Sequence, residues 1–457
     1  LIPQREPWRA ADHAFVAVFV LALFVRLANV ALLESPDGFF AESDTLTYWA
    51  LGTALAQRES FWPTLCSLTD RMPLYPLVVA GIQSVFGSAP RAVAVVQAML
   101  DAGTCAFIAA LGAVFAARVG LLAGILAAFS MTLVVLSSQI LTDTLFLFFL
   151  SISLFCATCF LRSPANLLMA FLAGFAGGLA LITRSSIALL LLAAVPVIFA
   201  GALAKKRRVA HASLAAGLFA IAAVAPVAPV LWRNIAVYHS ISLTSQTGDH
   251  LAYWIVPLVQ QRADGTPYQE TVDRMQALYR ARLAQRRASE QANPFVQSAV
   301  KAEVAREALA RLPLSAFVES WLEGMIVNLA SPAVLADARV RTLSKPNFYA
   351  TPGGSLWQRA RAYFLHDPGV YQWLLAVGIL AMLPFVMLEG IGLAMLARRS
   401  PVTAALAVGF VAYFLVLSGP VAGPKYRLPM EPMLLVLAAI PLAALADRYR
   451  KPSARVI

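Results

Sequence analysis

Residues 73–86 read PLYPLVVAGIQSVF, and whether this stretch crosses a membrane decides the topology of the whole chain. Fourteen residues of helix span about 21 Å, well short of the ~30 Å hydrocarbon core of a bilayer. Apolar runs of sufficient length surround it, at 13–33, 92–116, 120–138, 144–161, 167–183, 186–203, 212–232, 370–396, 402–418 and 429–446. With those ten as the spans, Arg5 and Arg9, Arg118, Arg162, the Lys205–Arg208 cluster, Arg398 and Arg399, and Arg448, Arg450 and Lys451 all fall on one side. Basic loops face the cytoplasm, so both termini are expected there. An eleventh span at 73–86 would invert everything from Arg118 to Arg208. The stretch is therefore read as an interfacial helix on the outer leaflet.

Composition agrees. The chain of 457 residues is 60% hydrophobic and only 13% charged, about half the charge a soluble domain needs to cover its surface. Helices are the spanning form such runs can take, because each satisfies its own backbone. The formal charge of +12 would suggest nucleic acid in a soluble protein. Here the basic residues sit in short loops between apolar runs, which points to orientation and lipid contact instead. Cys105, Cys156 and Cys159 lie inside apolar runs and read as small apolar residues; Cys66 lies in an outer loop. The first run, near His13–Leu33, lacks a small-residue cleavage site and is read as a span rather than a signal peptide. The expected architecture is an all-α polytopic membrane protein. It comprises a transmembrane module over 1–232 with a large first outer loop at 34–91, a periplasmic segment at 233–369 with a helical stretch from Gln269 to Ala310, and C-terminal spans over 370–457.

Three outer regions carry polar residues that a lipid-facing protein does not require. FFAESDTLTYW, residues 39–49, holds Glu42, Asp44 and Tyr48; Asp44 and Tyr48 share a helix face by their spacing. LTDTLFLF, residues 141–148, holds Asp143 at the start of a span. Either acid could simply cap a helix, but both are placed at the same membrane face. The third group is cationic: Arg71, Arg184, Arg233, Lys425 and Arg427 lie at outer ends of different segments, against the positive-inside tendency. One reading is snorkelling to headgroups; the other is an anion site, for which arginine's bidentate geometry suits phosphate. Arg26 and Asn29 lie within the first span, where an arginine faces a cavity or a partner. Carboxylates beside a phosphate-binding cluster at a membrane surface suggest group transfer from a lipid-borne sugar phosphate. A carboxylate would activate the acceptor hydroxyl and cations would stabilise the phosphate leaving group.

In order, these residues resemble the polyprenyl-phosphate-dependent glycosyltransferases of the GT-C fold, particularly the bacterial relatives of protein O-mannosyltransferases and lipid A aminoarabinose transferases. The first-loop acid with a tyrosine four residues on is Asp44 and Tyr48, with Thr45 where the family has a second acid. The R-x-P-x-Y-P stretch is Arg71, Pro73, Tyr75 and Pro76; Arg71-Met72 stands where the aminoarabinose enzymes carry Glu-Lys. The second acidic motif is Thr142-Asp143. G-L-A-x-x-T-R is Gly178, Leu179, Ala180, Thr183 and Arg184. W-R-N is Trp232, Arg233 and Asn234, followed by Thr244–Gly248, and the terminal R-x-P is Arg427 and Pro429. The resemblance implies inverting transfer with Asp44 as catalytic carboxylate aided by Asp143. It implies a donor phosphate, carried on a lipid such as undecaprenyl phosphate, held by Arg71, Arg184, Arg233, Lys425 and Arg427 with Tyr48 and Tyr75. The active site would be periplasmic, on an inner-membrane protein of the cell envelope. The acceptor stays open among lipid A, another glycolipid, a polysaccharide and a protein.

Two other functions compete. A transporter or flippase of a lipid-linked precursor wants polar residues at mid-membrane, for which Gln97, Asp101 and Glu389 are the candidates. A lipid-linked glycan ligase or polymerase shares the large outer segment but has no need of Asp44. A divalent metal at Glu42, Asp44, Asp143 and His250 is possible but not favoured, because no ligand spacing argues for it; no other cofactor is indicated.

Overall fold

The structure, a computed structural model, describes residues 12–41, 43–346, 348, 351–352 and 355–450. Arg5, Arg9, Glu42 and Lys451 lie outside these residues, as do the side chains of Arg448 and Arg450. Seven helices are long and apolar enough to cross a membrane: His13–Ala31, Pro90–Ala113, Asp143–Arg162, Ser185–Ala204, Val370–Arg399, Pro401–Ser418 and Pro424–Asp447. Two bent pairs, Ala117–Phe129 with Met131–Ser137 and Val209–Val224 with Ala228–Tyr238, pass the same test jointly. The tenth expected segment, Leu167–Thr183, is a helix of 17 residues. Each apolar run is thus helical, and the molecule is an all-α polytopic membrane protein.

The helices that build the N-terminal half are α1 (Asp12–Ala31), α2 (Ser43–Ala56), α3 (Arg58–Ser67), α4 (Leu74–Phe86), α5 (Pro90–Ala113), α6 (Ala117–Phe129), α7 (Met131–Ser137), α8 (Asp143–Arg162), α9 (Leu167–Thr183), α10 (Ala188–Ala204), α11 (Val209–Val224) and α12 (Ala228–Tyr238). Their core is rich in alanine, including Ala22, Ala102, Ala109, Ala123, Ala173 and Ala215, with Phe146, Phe160 and Phe219 filling the wider gaps. Large apolar side chains face outward instead: Leu380 is 65% exposed and Met387 66%. In water that inversion would be an aggregation surface; against lipid tails it costs nothing, and small residues inside let helices approach closely.

Glycine sets the closest approaches. A side chain on Gly174 of α9 would strike the Phe219 carbonyl of α11, and one on Gly178 would strike the Ala223 carbonyl and Pro226. The glycine of the G-L-A-x-x-T-R motif is therefore a packing residue.

Two expectations need revising. The run 212–232 is not a straight span: α11 and α12 meet at 60°. Pro226 and Pro229 cannot continue a straight ladder of backbone hydrogen bonds, and Trp232, Arg233 and Asn234 ride on the turned piece. The 269–310 helix is two helices, Tyr268–Leu283 and Pro294–Leu309. Pro294 needs a first-turn position, and the Asn293 side chain caps that turn by accepting from the Phe295 amide at 2.9 Å. Partly exposed arginines and glutamates bridge the two helices, Arg282 to Glu303 at 2.6 Å and to Glu307 at 3.1 Å.

The packing yields a matched comparison. Gly174→Leu should destabilise the protein by about 1–3 kcal/mol or more, the usual cost of overpacking. Gly217→Leu, on α11 with open space beside it, should be near neutral. Thermal unfolding of both variants in detergent checks the pair; equal effects would mean the α9–α11 contact is not tight.

Candidate functional site

Asp44 stands in the first turn of α2, and Arg71 lies in the turn just before α4. The Arg71 guanidinium donates to the Asp44 carboxylate at 2.9 Å. One turn further along α2, Tyr48 lies under that guanidinium, 5.9 Å from ring centroid to Cζ, and meets Tyr75 edge-on at 5.3 Å. Burial pushes the Tyr48 hydroxyl up to about 12, so it stays protonated and can donate.

Asp143 opens α8, and its carboxylate takes the Arg184 guanidinium at the end of α9. The cap reading does not describe this acid, because its charge is committed to another helix. The Asp143 side chain is only 4% exposed, so that carboxylate is nearly dehydrated, while its partner Arg184 is 27% exposed. The Asp44 side chain is 39% exposed and remains within reach of water.

These two pairs line one cavity of about 100 Å³ together with Tyr48, Asp70, Met72, Leu141, Thr142, Thr183, Ser185, Thr244, Gln246 and Lys425. Asp44, Asp143, Arg71, Arg184, Tyr48 and Lys425 are thus brought together, as the common sidedness of their segments required. Three expected site residues lie elsewhere. Tyr75 is 1% exposed and donates a hydrogen bond to the Gln97 side-chain oxygen at 2.6 Å, forming the floor beneath Tyr48 rather than a wall. Arg427 is 2% exposed and bound by two carboxylates, Glu431 at 2.8 Å and Glu389, which leaves its charge neutralised inside the bundle. Arg233 donates to the Leu65 carbonyl at 2.8 Å and to the Asn234 side chain.

The W-R-N motif has a different use. Asn234, fully buried, donates to the Ser242 and Leu243 carbonyls at 2.7 and 3.2 Å. It folds the chain back after His239, whose φ of 53° is left-handed. The returning segment is then tied to the first loop, the Ser245 amide donating to the Thr69 carbonyl at 2.9 Å, which delivers Thr244 and Gln246 to the cavity. Gln246, Asp70 and Ser185 are lining residues that the sequence reading did not single out; the signal available was their place beside Thr244, Arg71 and Arg184.

His250 is close enough for Arg184, after burial itself, to hold its imidazole below the usual value; it is neutral near pH 7. Among the described residues no group of three or more His, Cys, Asp or Glu side chains is arranged to hold a metal ion; Glu42 of the weighed metal set is not among them.

The fold and site together define a polytopic helical membrane protein with two arginine-neutralised carboxylates facing one cavity at the ends of its helices. Over residues 70–232 the chain matches the family model described as dolichyl-phosphate-mannose-protein mannosyltransferase. The relation inferred from the motifs is thereby met on the stretch that carries Arg71, Tyr75, Asp143 and Arg184. Two solved structures are similar. ArnT from Cupriavidus metallidurans bound to undecaprenyl phosphate is 17% identical, with a TM-score of 0.39, covering 97% of this chain and 80% of that one. The same protein in the apo state is 16% identical, with a TM-score of 0.40, covering 94% and 78%. No curated protein sequence matches the chain.

The two ion pairs should differ in weight. Arg184→Ala strands a buried carboxylate and should cost about 3–5 kcal/mol. Arg71→Ala leaves a partly hydrated one and should cost about 0–1 kcal/mol. Denaturation midpoints of the purified variants test the ranking, which fails if Arg71→Ala is the more damaging.

Proposed function

We propose that the protein is a membrane glycosyltransferase of GT-C type that moves a sugar from a polyprenyl-phosphate carrier to an acceptor hydroxyl, with inversion. The observation that carries this reading is the convergence of Asp44, Asp143, Arg71, Arg184 and Lys425 on one cavity. The family match over 70–232 supports it. Asp44, the more hydrated carboxylate, accepts the acceptor's proton as its oxygen attacks the anomeric carbon. The bond from that carbon to the phosphate oxygen breaks, and the electron pair leaves with the lipid phosphate. Arg71, Arg184 and Lys425 are the groups to stabilise the charge that develops there. Arg71 and Arg184 each bind a carboxylate now, so an arriving phosphate competes for both. Its binding would loosen Asp44 for proton transfer. Asp143, more deeply buried, keeps Arg184 aimed into the cavity. Arg233 acts by shaping the wall and Arg427 by bracing the bundle.

The transporter reading finds little support. Its mid-membrane candidates are each occupied: Asp101 by Arg26 at 2.7 Å, Glu389 by Arg427, and Gln97 by Tyr75 and two carbonyls. The cavity belongs to the non-cytoplasmic, periplasmic face of the inner membrane by the distribution of basic loops. On that face nucleotide sugars are absent and a lipid-linked donor fits.

Asp44→Asn, in proteoliposomes supplied with polyprenyl-phosphate sugars, should lower transfer about 10²-fold or more, the scale of a lost acid–base group. Full turnover by the folded variant would sink the assignment. Sidedness has its own test. Cys66 is exposed while Cys105 and Cys156 are buried, so a membrane-impermeant maleimide should label Cys66 in intact spheroplasts. Labelling only after lysis would place the cavity on the cytoplasmic face.

A further inference from the structure

A second and larger cavity, of about 600 Å³, lies in segment 233–369 between the helices Val256–Asp264, Tyr268–Leu283 and Pro294–Leu309. None of its lining residues lines the cavity at Asp44. Its chemistry is divided. Met275, Leu278 and Leu312 give it an apolar floor, and Arg274 and Arg311 stand at its walls. Arg274 makes an exposed contact to Glu270 on its own helix, at 3.3 Å. Arg311 makes no ion pair among the described residues. Thr271 is 1% exposed, and its hydroxyl has no hydrogen-bond partner. A buried hydroxyl without a partner costs about 1–3 kcal/mol, a cost that a ligand acceptor atom would remove. Of the two acids in the lining, Glu307 is engaged by Arg282 at 3.1 Å; Asp264 accepts from the neutral Thr266 hydroxyl at 2.7 Å and keeps its charge. The lining nevertheless carries three arginines, Arg274, Arg282 and Arg311, against these two carboxylates.

The surroundings say what kind of molecule fits. No aromatic side chain lines this cavity, so a free sugar would find no ring to stack on, and apolar surface is of no use to a free phosphate. At Pro313 the lining passes directly into the helix Leu314–Ala330. That helix packs on Val256–Asp264 and presents Leu314, Val318, Leu322 and Ile326, all exposed, at every fourth position. Such a spacing keeps them on one face. The same helix is tied to a membrane span, Trp321 donating to the Val416 carbonyl at 3.1 Å. A cationic recess that continues into an apolar ridge attached to a span matches an anionic amphiphile.

We infer that this cavity is a lipid site, independent of the glycosyl-transfer cavity. It takes the phosphate head of an anionic phospholipid between Arg274, Arg311 and Thr271, with the upper acyl chain on Met275, Leu278 and Leu312. The bound lipid ties segment 233–369 to its leaflet.

Native mass spectrometry of the delipidated full-length protein, offered phosphatidylglycerol or phosphatidylcholine, tests it. Wild type should retain phosphatidylglycerol preferentially. Arg274→Gln/Arg311→Gln should weaken that retention by about ten-fold or more, as expected for two lost charge-assisted contacts. Both arginines are exposed, so the double variant should keep the wild-type unfolding midpoint. Arg71→Gln, in the other cavity, should retain phosphatidylglycerol as wild type does. Glycerol phosphate, the head without its chains, should not displace the lipid. Undiminished retention by the double variant, equal retention of phosphatidylcholine, loss on Arg71→Gln instead, or displacement by glycerol phosphate would each overturn the inference.

Discussion

An arginine away from water must find its counter-charge within the protein, and this constraint organises the whole bundle. Arg26, fully buried, binds Asp101 at 2.7 Å and the Ala127 carbonyl at 3.0 Å, which fastens α1 to α5 and to the end of α6. Arg427 joins Glu389 of one C-terminal span to Glu431 of another and reaches the Leu329 carbonyl. Arg184 and Arg71 do the same for α8 with α9 and for α2 with the turn before α4. Breaking any of the dehydrated pairs leaves a charge with nowhere to go. The helices are thus held in register as well as in contact. Where the pairs approach water, at Asp44, the same arrangement becomes exchangeable.

Seen this way, the candidate site is a structural device reused. Arg26–Asp101 and Arg427–Glu389 are closed on themselves by burial. Arg71–Asp44 and Arg184–Asp143 differ because a cavity touches them. An anion entering that space would meet guanidiniums that are already oriented, and would have to draw them from their carboxylates. Gln97 supports the arrangement from below. Its side-chain oxygen accepts a hydrogen bond from the Tyr75 hydroxyl and its amide nitrogen donates to the Ser137 and Gln139 carbonyls at 2.8 and 2.7 Å. The helix beneath Tyr48 and the turn leading to Asp143 therefore share one anchor.

Sequence patterning captured the spans because lipid selects length and hydropathy locally, residue by residue. It also placed Asp44, Asp143, Arg71, Arg184 and Lys425 on one face, since charge bias fixes sidedness. What it could not separate was the use of each cation. Arg427 and Arg184 look alike as arginines at span ends. Arg427 is closed off by two carboxylates, Glu431 one turn on and Glu389 far away in the chain, whereas Arg184 has one, the distant Asp143, and faces the cavity. Asn234 and Gly178 drew notice as motif residues, yet their work is to fold the chain back and to let two helices touch. The break at Pro294 was written in the sequence, but a run of helix-favouring alternating charge hid it.

The segment between α12 and the Val370–Arg399 span is fixed to the bundle near both of its ends. At its start Asn234 and the Thr69–Ser245 contact pin the returning segment. Toward its end Arg339 donates to Asn29 of α1 at 2.8 Å, and Gln139 donates to the Ala336 carbonyl at 2.8 Å. The charged hairpin from Tyr268 to Leu309 lies between these clamps and packs onto the turn that follows the first one: Met275, Val304 and Ala305 bury against Ala252 and Val256, Lys301 pairs with Asp249 at 2.7 Å, and the Gly248 amide donates to Ser298 at 3.0 Å. Gly248 lies four residues beyond Thr244, which lines the cavity at Asp44. A change in the packing of the hairpin is therefore felt, through that short stretch of backbone, at the wall of the cavity.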